Sequence, residues 1–217
     1  MKAAHYGMRV AWEWLIPRQY ILWRGDQRSG MIGLTFDDGP HPHYTPRVLD
    51  LLDAHGAKAT FFLVGREVER HAGLAREVVR RGHDVGTHTY SHANLAAVEP
   101  HVLREEIDRG RAVLEDVTGM PVSLFRPPGG HMSPRVVAHA ACMGMMVALW
   151  SVDSRDWMRR GQESIRRRIA RARVRSGDIV LLHDDYPETV AALPQVLGDL
   201  GRSTLGLGTL ADLLAER

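Results

Sequence analysis

Two neighbouring carboxylates and two histidines spaced four residues apart are the side chains of this 217-residue chain best suited to chemistry. Asp37 and Asp38 follow an apolar run, and His88 and His92 come later. Because side chains alternate in direction along an extended chain, Asp37 and Asp38 cannot do the same job. One carboxylate can ligate a metal ion together with both imidazoles, while the other faces a water molecule that the ion activates. The pattern therefore predicts a metal-assisted hydrolase.

Short apolar runs alternate with helical stretches, and this alternation predicts the elements that position those side chains. Strands are predicted at 31–36, 59–64, 83–86, 122–125, 145–150 and 178–182, with a fainter seventh near 203–207. Helices are predicted at 46–55, 66–81 with a break near Gly73, 100–118, 134–143, 164–175, 187–200 and 208–216. Thr45 and Ser133, each followed by proline, are the expected N-caps of two of these helices. Strict alternation implies parallel strands and a single α/β domain.

The polar candidates share one position, just past the carboxyl end of a predicted strand. From the first strand to the sixth they are Asp37, Asp38, His88, His92, Arg126, Asp153, Asp156 and His183. In a (β/α) barrel this end of the strands forms the catalytic face. Randomly scattered polar residues would not fall in this way, so the pattern predicts one site at that end of a barrel.

Five short motifs stand in order along the chain. They are Thr35-Phe36-Asp37-Asp38-Gly39-Pro40, His88-Thr89-Tyr90-Ser91-His92, Arg126-Pro127-Pro128, Asp153-Ser154-Arg155-Asp156-Trp157 and Leu181-Leu182-His183. Together they resemble the polysaccharide deacetylase family, the NodB-homology domain of carbohydrate esterase family 4. The resemblance covers about residues 31–215 and implies a distorted (β/α)7 barrel, similar to a TIM barrel. We expect this single domain over residues 31–217, preceded by an N-terminal strap over residues 1–30.

The resemblance implies a metal site and a base beside it. Asp38, His88 and His92 resemble the family's metal ligands, and Asp37 resembles the general base that acts on the metal-bound water. Zinc is the leading metal, although cobalt, nickel or iron also suit two histidines and one aspartate.

The resemblance also implies an acid and its supporting residues. His183 resembles the general acid that protonates the departing amine, and Asp156 the carboxylate that keeps it protonated. Arg126 resembles the residue that orients the base by charge-assisted hydrogen bonds. Trp157 and Leu181 resemble walls of the pocket that receives the acetyl methyl group. An early base and a late acid are what amide hydrolysis needs.

One position departs from the family pattern. Gly129 stands where the family usually has an aromatic residue whose backbone N–H helps to stabilise the oxyanion, and Gly130 follows it. Glycine keeps the N–H but removes the ring, so we expect a wider pocket and a looser loop. Tyr90, inside the second motif, is a further candidate for substrate contact.

Composition excludes several classes of protein. A net charge of +2 is too small to indicate nucleic-acid binding. Cys142 is the single cysteine, which excludes an internal disulfide, and its apolar neighbours predict a buried helix face. We expect the arginine-rich helix around 166–175 to be a solvated outer face with Ile165 and Ile169 on its buried side. Residues at the rim of the site are expected to be His41, His43, Asp184 and Asp185.

The N-terminal segment is aromatic-rich but is not a convincing signal peptide, since charged residues and Pro17 interrupt any apolar core. Its favoured interpretation is a strap packed under the barrel, and the alternative is a peripheral membrane anchor built on residues such as Trp12 and Trp14. No segment approaches the ~20 apolar residues of a membrane span. The default expectation is a cytoplasmic protein, with a cell-envelope role left open and no oligomeric state indicated.

The sequence thus predicts a deacetylase that removes acetyl groups from N-acetylated sugars in a glycan, such as chitin oligomers or peptidoglycan. One alternative is an amidase or esterase of the same fold, acting on small or cyclic amides or on O-acetylated xylan. A catalytically silent carbohydrate-binding barrel is the second alternative. Asp37 and His183 argue against it, because a binding protein needs no acid–base pair.

Overall fold

A parallel sheet forms the centre of the protein in the computed structural model, which describes residues 17 and 19–215. The described strands are β1 (Ile21–Leu22), β2 (Met31–Asp37), β3 (Thr60–Leu63), β4 (Asp84–Thr87), β5 (Leu124–Phe125), β6 (Met146–Ala148), β7 (Val152–Asp153), β8 (Ile179–His183) and β9 (Gly206–Gly208). Their order is β1-β6-β5-β4-β3-β2-β8-β7, with β9 added beside β2. The sheet curls into an open half-barrel, which confirms the predicted α/β barrel-like fold.

Helices connect the strands and cover the outside of the sheet. The described helices are α1 (Thr45–Ala54), α2 (Gly65–Arg70), α3 (Ala72–Arg80), α4 (Pro100–Thr118), α5 (Pro134–Cys142), α6 (Gln162–Ala172), α7 (Pro187–Gly201) and α8 (Leu210–Ala215). Parallel strands require such crossovers, and the helices bury the outer face of the sheet.

The two faces of the sheet carry separate apolar clusters, because neighbouring side chains along a strand point to opposite sides. Phe61 stacks on Phe36 in the large cluster under the helices, with ring centroids 5.1 Å apart. Phe62, the next residue, belongs to a smaller cluster in which Leu210 and Leu213 of α8 are buried against the strands. The arrangement leaves the carboxyl ends of the strands for the polar residues.

Every predicted strand is present, with ends shifted by a few residues, and the faint seventh strand is β9. Two strands were not predicted, β1 and β7. Each has only two residues, which is too short to show an alternating pattern. β1 lies inside the segment expected to be a strap, where it pairs with β6. Residues 1–16 and 18 of the predicted strap, which include Trp12 and Trp14, fall outside the described residues.

Helix boundaries show one confirmed cap and one that was wrong. The Ser133 hydroxyl accepts a hydrogen bond from the Val136 N–H, as an N-cap should. Thr45, by contrast, is the first residue of α1, and Tyr44 occupies the cap position. The Thr45 hydroxyl instead accepts a hydrogen bond from the His41 backbone N–H and donates one to the Asp184 carboxylate. The predicted break near Gly73 occurs at His71, between α2 and α3.

Surface predictions were also mixed. Ile165 and Ile169 are buried under α6, as expected. Cys142 is exposed, so the prediction of a buried thiol was wrong. The buried face of α5 is formed by Val136, Val137 and Ala140, and Cys142 ends the helix on another side. Within the described part of the chain, no helix combines the length and apolarity needed to cross a membrane.

Candidate active site

Three of the predicted side chains converge into a compact cluster. The Nε2 atoms of His88 and His92 lie 3.5 Å and 3.2 Å from Oδ1 of Asp38. The ligand atoms of the three residues all lie within 4.8 Å of one another. Two imidazoles and one carboxylate at this separation suit a divalent ion of the zinc type.

Two details of this cluster fit a metal ion. His88 Nδ1 lies 2.7 Å from the carbonyl oxygen of Arg126, an arrangement that fixes the tautomer and leaves Nε2 as a ligand atom. Oδ1 of Asp38 is buried and has no hydrogen-bond partner of good geometry among the described residues, despite the two nearby imidazoles. A buried acceptor without a donor fits a site whose residues hold a cation.

The charges of the cluster also favour ligation. Burial lowers the pKa of His88, which keeps the imidazole neutral and able to bind a metal. For Asp38, burial favours the neutral acid, but the neighbouring imidazole of His92 and the imidazolium of His183 outweigh burial and lower its pKa. Asp38 is therefore an anion when the histidines can act as ligands.

The backbone is strained in and beside the cluster of Asp38, His88 and His92. Asp38, Thr89 and His92 adopt positive φ angles of 77°, 67° and 62°, which non-glycine residues rarely do. Such conformations persist only where the surroundings enforce them, and they concentrate at functional sites. Part of that enforcement comes from Glu106 on α4, whose carboxylate accepts hydrogen bonds from the N–H and hydroxyl of Ser91. Sequence reasoning missed Glu106 because nothing local links it to the motif.

Asp37 lies beside the cluster and is held by Arg126. The Nη1 atom of Arg126 donates to Oδ1 of Asp37 at 2.6 Å, and Oδ2 of Asp37 lies 3.9 Å from Nε2 of His88. Arg126 is fully buried and donates further to Thr35 Oγ1 and to the carbonyls of Ala148 and Leu149. With Oδ1 held in this way, Asp37 presents Oδ2 toward the cluster of Asp38, His88 and His92.

His183 is paired with Asp156 on the other side of the site. His183 Nδ1 lies 2.7 Å from Oδ1 of Asp156, and Oδ2 accepts from the His183 backbone N–H and from the hydroxyl of Thr189. Burial disfavours the imidazolium, but Asp156 outweighs it and, with Asp37 and Asp38, raises the pKa of His183 to about 10. Thr189, near the start of α7, is a second residue of the site that sequence reasoning missed.

Three candidate substrate contacts occupy different settings. Leu181 pairs with Thr35 in the sheet and shares a face with His183, two residues on. Trp157 is 50% exposed and follows Asp156 directly, so its indole is available at the edge of the site. The Tyr90 hydroxyl donates to Glu69 and accepts from Arg109, whose guanidinium also covers the ring. Tyr90 is thus engaged with α2 and α4, and we leave it out of the proposed substrate contacts.

The loop at Gly129 is a defined turn. Gly129 and Gly130 both have positive φ angles, 62° and 68°, and the Gly130 N–H donates to the Pro127 carbonyl. A Cβ atom at Gly129 would lie 3.1 Å from the His131 ring. The space expected to be open is therefore partly filled by an imidazole, and the glycine is required by the backbone conformation.

One of the expected rim residues is not at the rim. Asp184 is fully buried, so that prediction was wrong, whereas Asp185 is half-buried. Burial, together with nearby carboxylates that include Asp38, raises the pKa of both Asp184 and Asp185 to about 7. His43 is exposed and His41 half-buried, in line with a rim position.

Comparison with known proteins agrees with this geometry. The family model described as polysaccharide deacetylase matches residues 24–148. The chain belongs to the polysaccharide deacetylase family. Relatives named as peptidoglycan-N-acetylglucosamine and chitooligosaccharide deacetylases support a hydrolase that acts on carbon–nitrogen bonds of a polysaccharide. A peptidoglycan-N-acetylglucosamine deacetylase of Bacillus cereus is 40% identical over 205 residues, which cover 92% of this chain and 95% of the relative.

Solved structures of polysaccharide deacetylases superpose closely on this one. The Bc1960 peptidoglycan N-acetylglucosamine deacetylase, solved in complex with a benzamide, gives a TM-score of 0.86 at 30% identity, covering 91% of this chain and 94% of the other. A family 4 pseudoenzyme from Bacillus anthracis gives 0.85 at 31% identity, covering 91% and 70%. Fold alone therefore does not separate active from silent members, and the side chains of the site must decide.

Proposed function

We propose that this protein is a metal-dependent deacetylase that hydrolyses the N-acetyl group of N-acetylated sugars in a glycan and releases acetate. The observation that carries the proposal is the separation of two carboxylates into different roles. Asp38 faces His88 and His92, whereas the neighbouring Asp37 is held by Arg126. A binding protein has no use for this division, and hydrolysis needs it.

Asp38, His88 and His92 would hold the metal. When bound there, a divalent ion lowers the pKa of a water molecule and polarises the acetyl carbonyl. Asp37 removes a proton from the attacking water through the oxygen that faces the cluster. Arg126 keeps this carboxylate oriented by a charge-assisted hydrogen bond. The backbone N–H of Gly129 is our candidate donor to the developing oxyanion.

His183 supplies the second proton transfer. Burial lowers the pKa of His183, but Asp156 raises it by more. The raised pKa keeps the imidazole protonated at neutral pH. A protonated ring can deliver its proton to the sugar nitrogen as the C–N bond breaks, so that the amine leaves as a neutral group. Leu181 and Trp157 are proposed as the walls that receive the acetyl methyl group.

N-acetylglucosamine in peptidoglycan is the substrate we place first, with chitin oligomers second. The near full-length similarity to a Bacillus cereus peptidoglycan-N-acetylglucosamine deacetylase supports this order. Zinc is the proposed metal, and cobalt, nickel or iron are the alternatives. Small or cyclic amides and O-acetylated xylan remain test substrates for the amidase or esterase alternative. The resemblance to a pseudoenzyme keeps the silent barrel as an outcome of the same test.

Acetate release tests the proposal directly. The purified protein would be assayed on peptidoglycan fragments, chitin oligomers, acetylated xylan and small cyclic amides, with added zinc and with a strong chelator. We expect release from the N-acetylated glycans that zinc supports and the chelator abolishes. His88→Ala should be inactive, while His101→Ala, an exposed histidine on α4, serves as the matched control. Full activity in the presence of the chelator would contradict metal dependence. If no acetate is released from any substrate, the catalytically silent carbohydrate-binding barrel is favoured.

A further inference from the structure

Asp184 is a buried carboxylate with no role in the proposed reaction. It is fully buried, and its Oδ1 atom accepts no hydrogen bond from the described residues. It follows His183 at the end of β8, yet its side chain contacts a different part of the site. Burying a carboxylate without a paired cation is unfavourable, so its position calls for an explanation.

One contact of Asp184 is a chain of hydrogen bonds through Thr45. The Thr45 hydroxyl donates to Oδ2 of Asp184 at 2.5 Å and accepts from the backbone N–H of His41 at 2.7 Å. Thr45 is itself fully buried at the start of α1. The chain therefore connects the end of β8 to the backbone just after the Asp37-Asp38-Gly39-Pro40 motif.

A second contact of Asp184 is with Gly39. A Cβ atom built on Gly39 would lie 2.4 Å from both carboxylate oxygens of Asp184. Gly39 is not among the residues with positive φ, so a left-handed backbone is not the reason for glycine here. The Asp184 carboxylate is what a side chain at this position would meet first.

The backbone of Asp184 provides a third contact. Its N–H donates to the carbonyl oxygen of Asp37 at 3.2 Å. Asp184 thus touches the residues on both sides of Asp38, through its backbone at Asp37 and its carboxylate at Gly39. Asp38 is the proposed ligand held at a φ of 77°, a conformation that persists only with support from its surroundings.

We infer that Asp184 and Thr45 are positioning residues that hold the turn carrying Asp37 and Asp38 in register with the strand carrying His183. This inference rests on the proposed function, because it assigns the turn to a metal ligand and a base. Asp184 links the proposed base to the proposed acid, since it contacts the turn that carries Asp37 and directly follows His183. Loss of the contacts made by Asp184 and Thr45 should make the position of Asp38 less fixed without removing any metal ligand or proton donor.

The zinc affinity of the apoprotein tests the inference with a readout other than activity. Asp184→Ala and Thr45→Val are each expected to weaken zinc binding roughly ten- to a hundred-fold, the range seen when groups that hold metal ligands are removed. Both should lower kcat and leave KM little changed. Thr45→Ser keeps the hydroxyl and should recover most of the affinity. If Asp184→Ala does not fold, the comparison of Thr45→Val with Thr45→Ser decides.

Thr60→Val is the matched control. Thr60 is also fully buried, and its hydroxyl also accepts a backbone N–H, that of Leu210. It pairs with Thr35 in the sheet but takes no part in the hydrogen-bond chain that joins His41, Thr45 and Asp184. This variant should lose stability without losing zinc affinity. If His88→Ala abolishes zinc binding, the metal site is as proposed. Wild-type zinc affinity and kcat in folded Asp184→Ala or Thr45→Val would then overturn the inference alone. If the unaltered protein binds no zinc, the proposed function fails and the inference fails with it.

A double substitution tests the contact with Gly39. Gly39→Ala alone should weaken zinc binding, because the new methyl group collides with the Asp184 carboxylate. Adding Asp184→Ala removes the collision, so the double variant should bind zinc more tightly than Gly39→Ala alone. Independent, additive losses would show that the carboxylate is not what confines residue 39, and would count against the inference.

Discussion

His183 and Asp156 are joined twice, through the ring and through the backbone. The Asp156 carboxylate accepts from the His183 backbone N–H at 2.7 Å and lies 2.7 Å from Nδ1 of the same residue. Thr189 donates to the oxygen that binds the backbone. A carboxylate fixed at both oxygens cannot turn away from the imidazole. The pair therefore fixes the orientation of the ring as well as its charge.

The pH dependence of catalysis should report this pair. His183 must be protonated to act as an acid, so activity should fall as pH rises through its pKa, which is raised from 6.5 to about 10. Asp156→Asn removes the chief cause of that increase, so the alkaline limb of kcat/KM should move to lower pH. Asp153→Asn, three residues earlier at the end of β7, is the control and should leave the limb in place. An alkaline limb unmoved in Asp156→Asn would remove Asp156 from the mechanism.

The two neighbouring aspartates should give different phenotypes. Asp38→Ala should abolish tight zinc binding, because two histidines cannot hold the ion in an open site. Asp37→Asn should retain zinc and lose rate by about 10²–10⁴-fold, as expected for a missing general base. Zinc content and kcat measured on the same preparations separate the two effects. Should Asp37→Asn empty the site, the two roles have been exchanged.

Arg126 should matter for stability as well as for activity. It is fully buried and donates to Asp37, Thr35 and two backbone carbonyls, so a shorter side chain leaves several acceptors unpaired. Removing one partner of a buried ion pair typically costs about 3–5 kcal/mol. We expect a loss of this order for Arg126→Ala in denaturant unfolding. Arg166→Ala, which breaks a partly exposed pair with Asp199, should cost only about 0–1 kcal/mol.

Gly129 should resist substitution because of its backbone. With φ at 62°, tyrosine would strain the turn and approach His131, so Gly129→Tyr should lower activity on every substrate. Gly129→Asn should be tolerated better, since asparagine accepts the left-handed region more readily. Kinetics on a linear N-acetylglucosamine oligomer and on a small acetamide make the comparison. A selective gain on the oligomer after Gly129→Tyr would contradict this view and support a missing aromatic platform.

The sequence alone determined the order of the elements and the chemistry that they carry. Apolar runs such as 31–36 and 178–182 have a local period that identifies strands, and residues at their carboxyl ends share one face of a parallel sheet. For this reason Asp37, Asp38, His88 and His183 could be assigned to one site before any coordinates were considered. Local caps such as Ser133 were predictable because both hydrogen-bonding partners lie within one turn of helix.

Only the tertiary structure decided which polar residues are buried and what they contact. Asp184 resembled a surface residue because its sequence neighbours are polar, and its burial depends on Thr45 and Gly39, far away along the chain. Glu106 and Thr189 became relevant for the same reason. The left-handed φ at Gly129 likewise follows from how its loop packs, since glycine accepts both signs of φ. Contacts between distant segments leave no periodic trace in sequence, so they emerge only when the chain is folded.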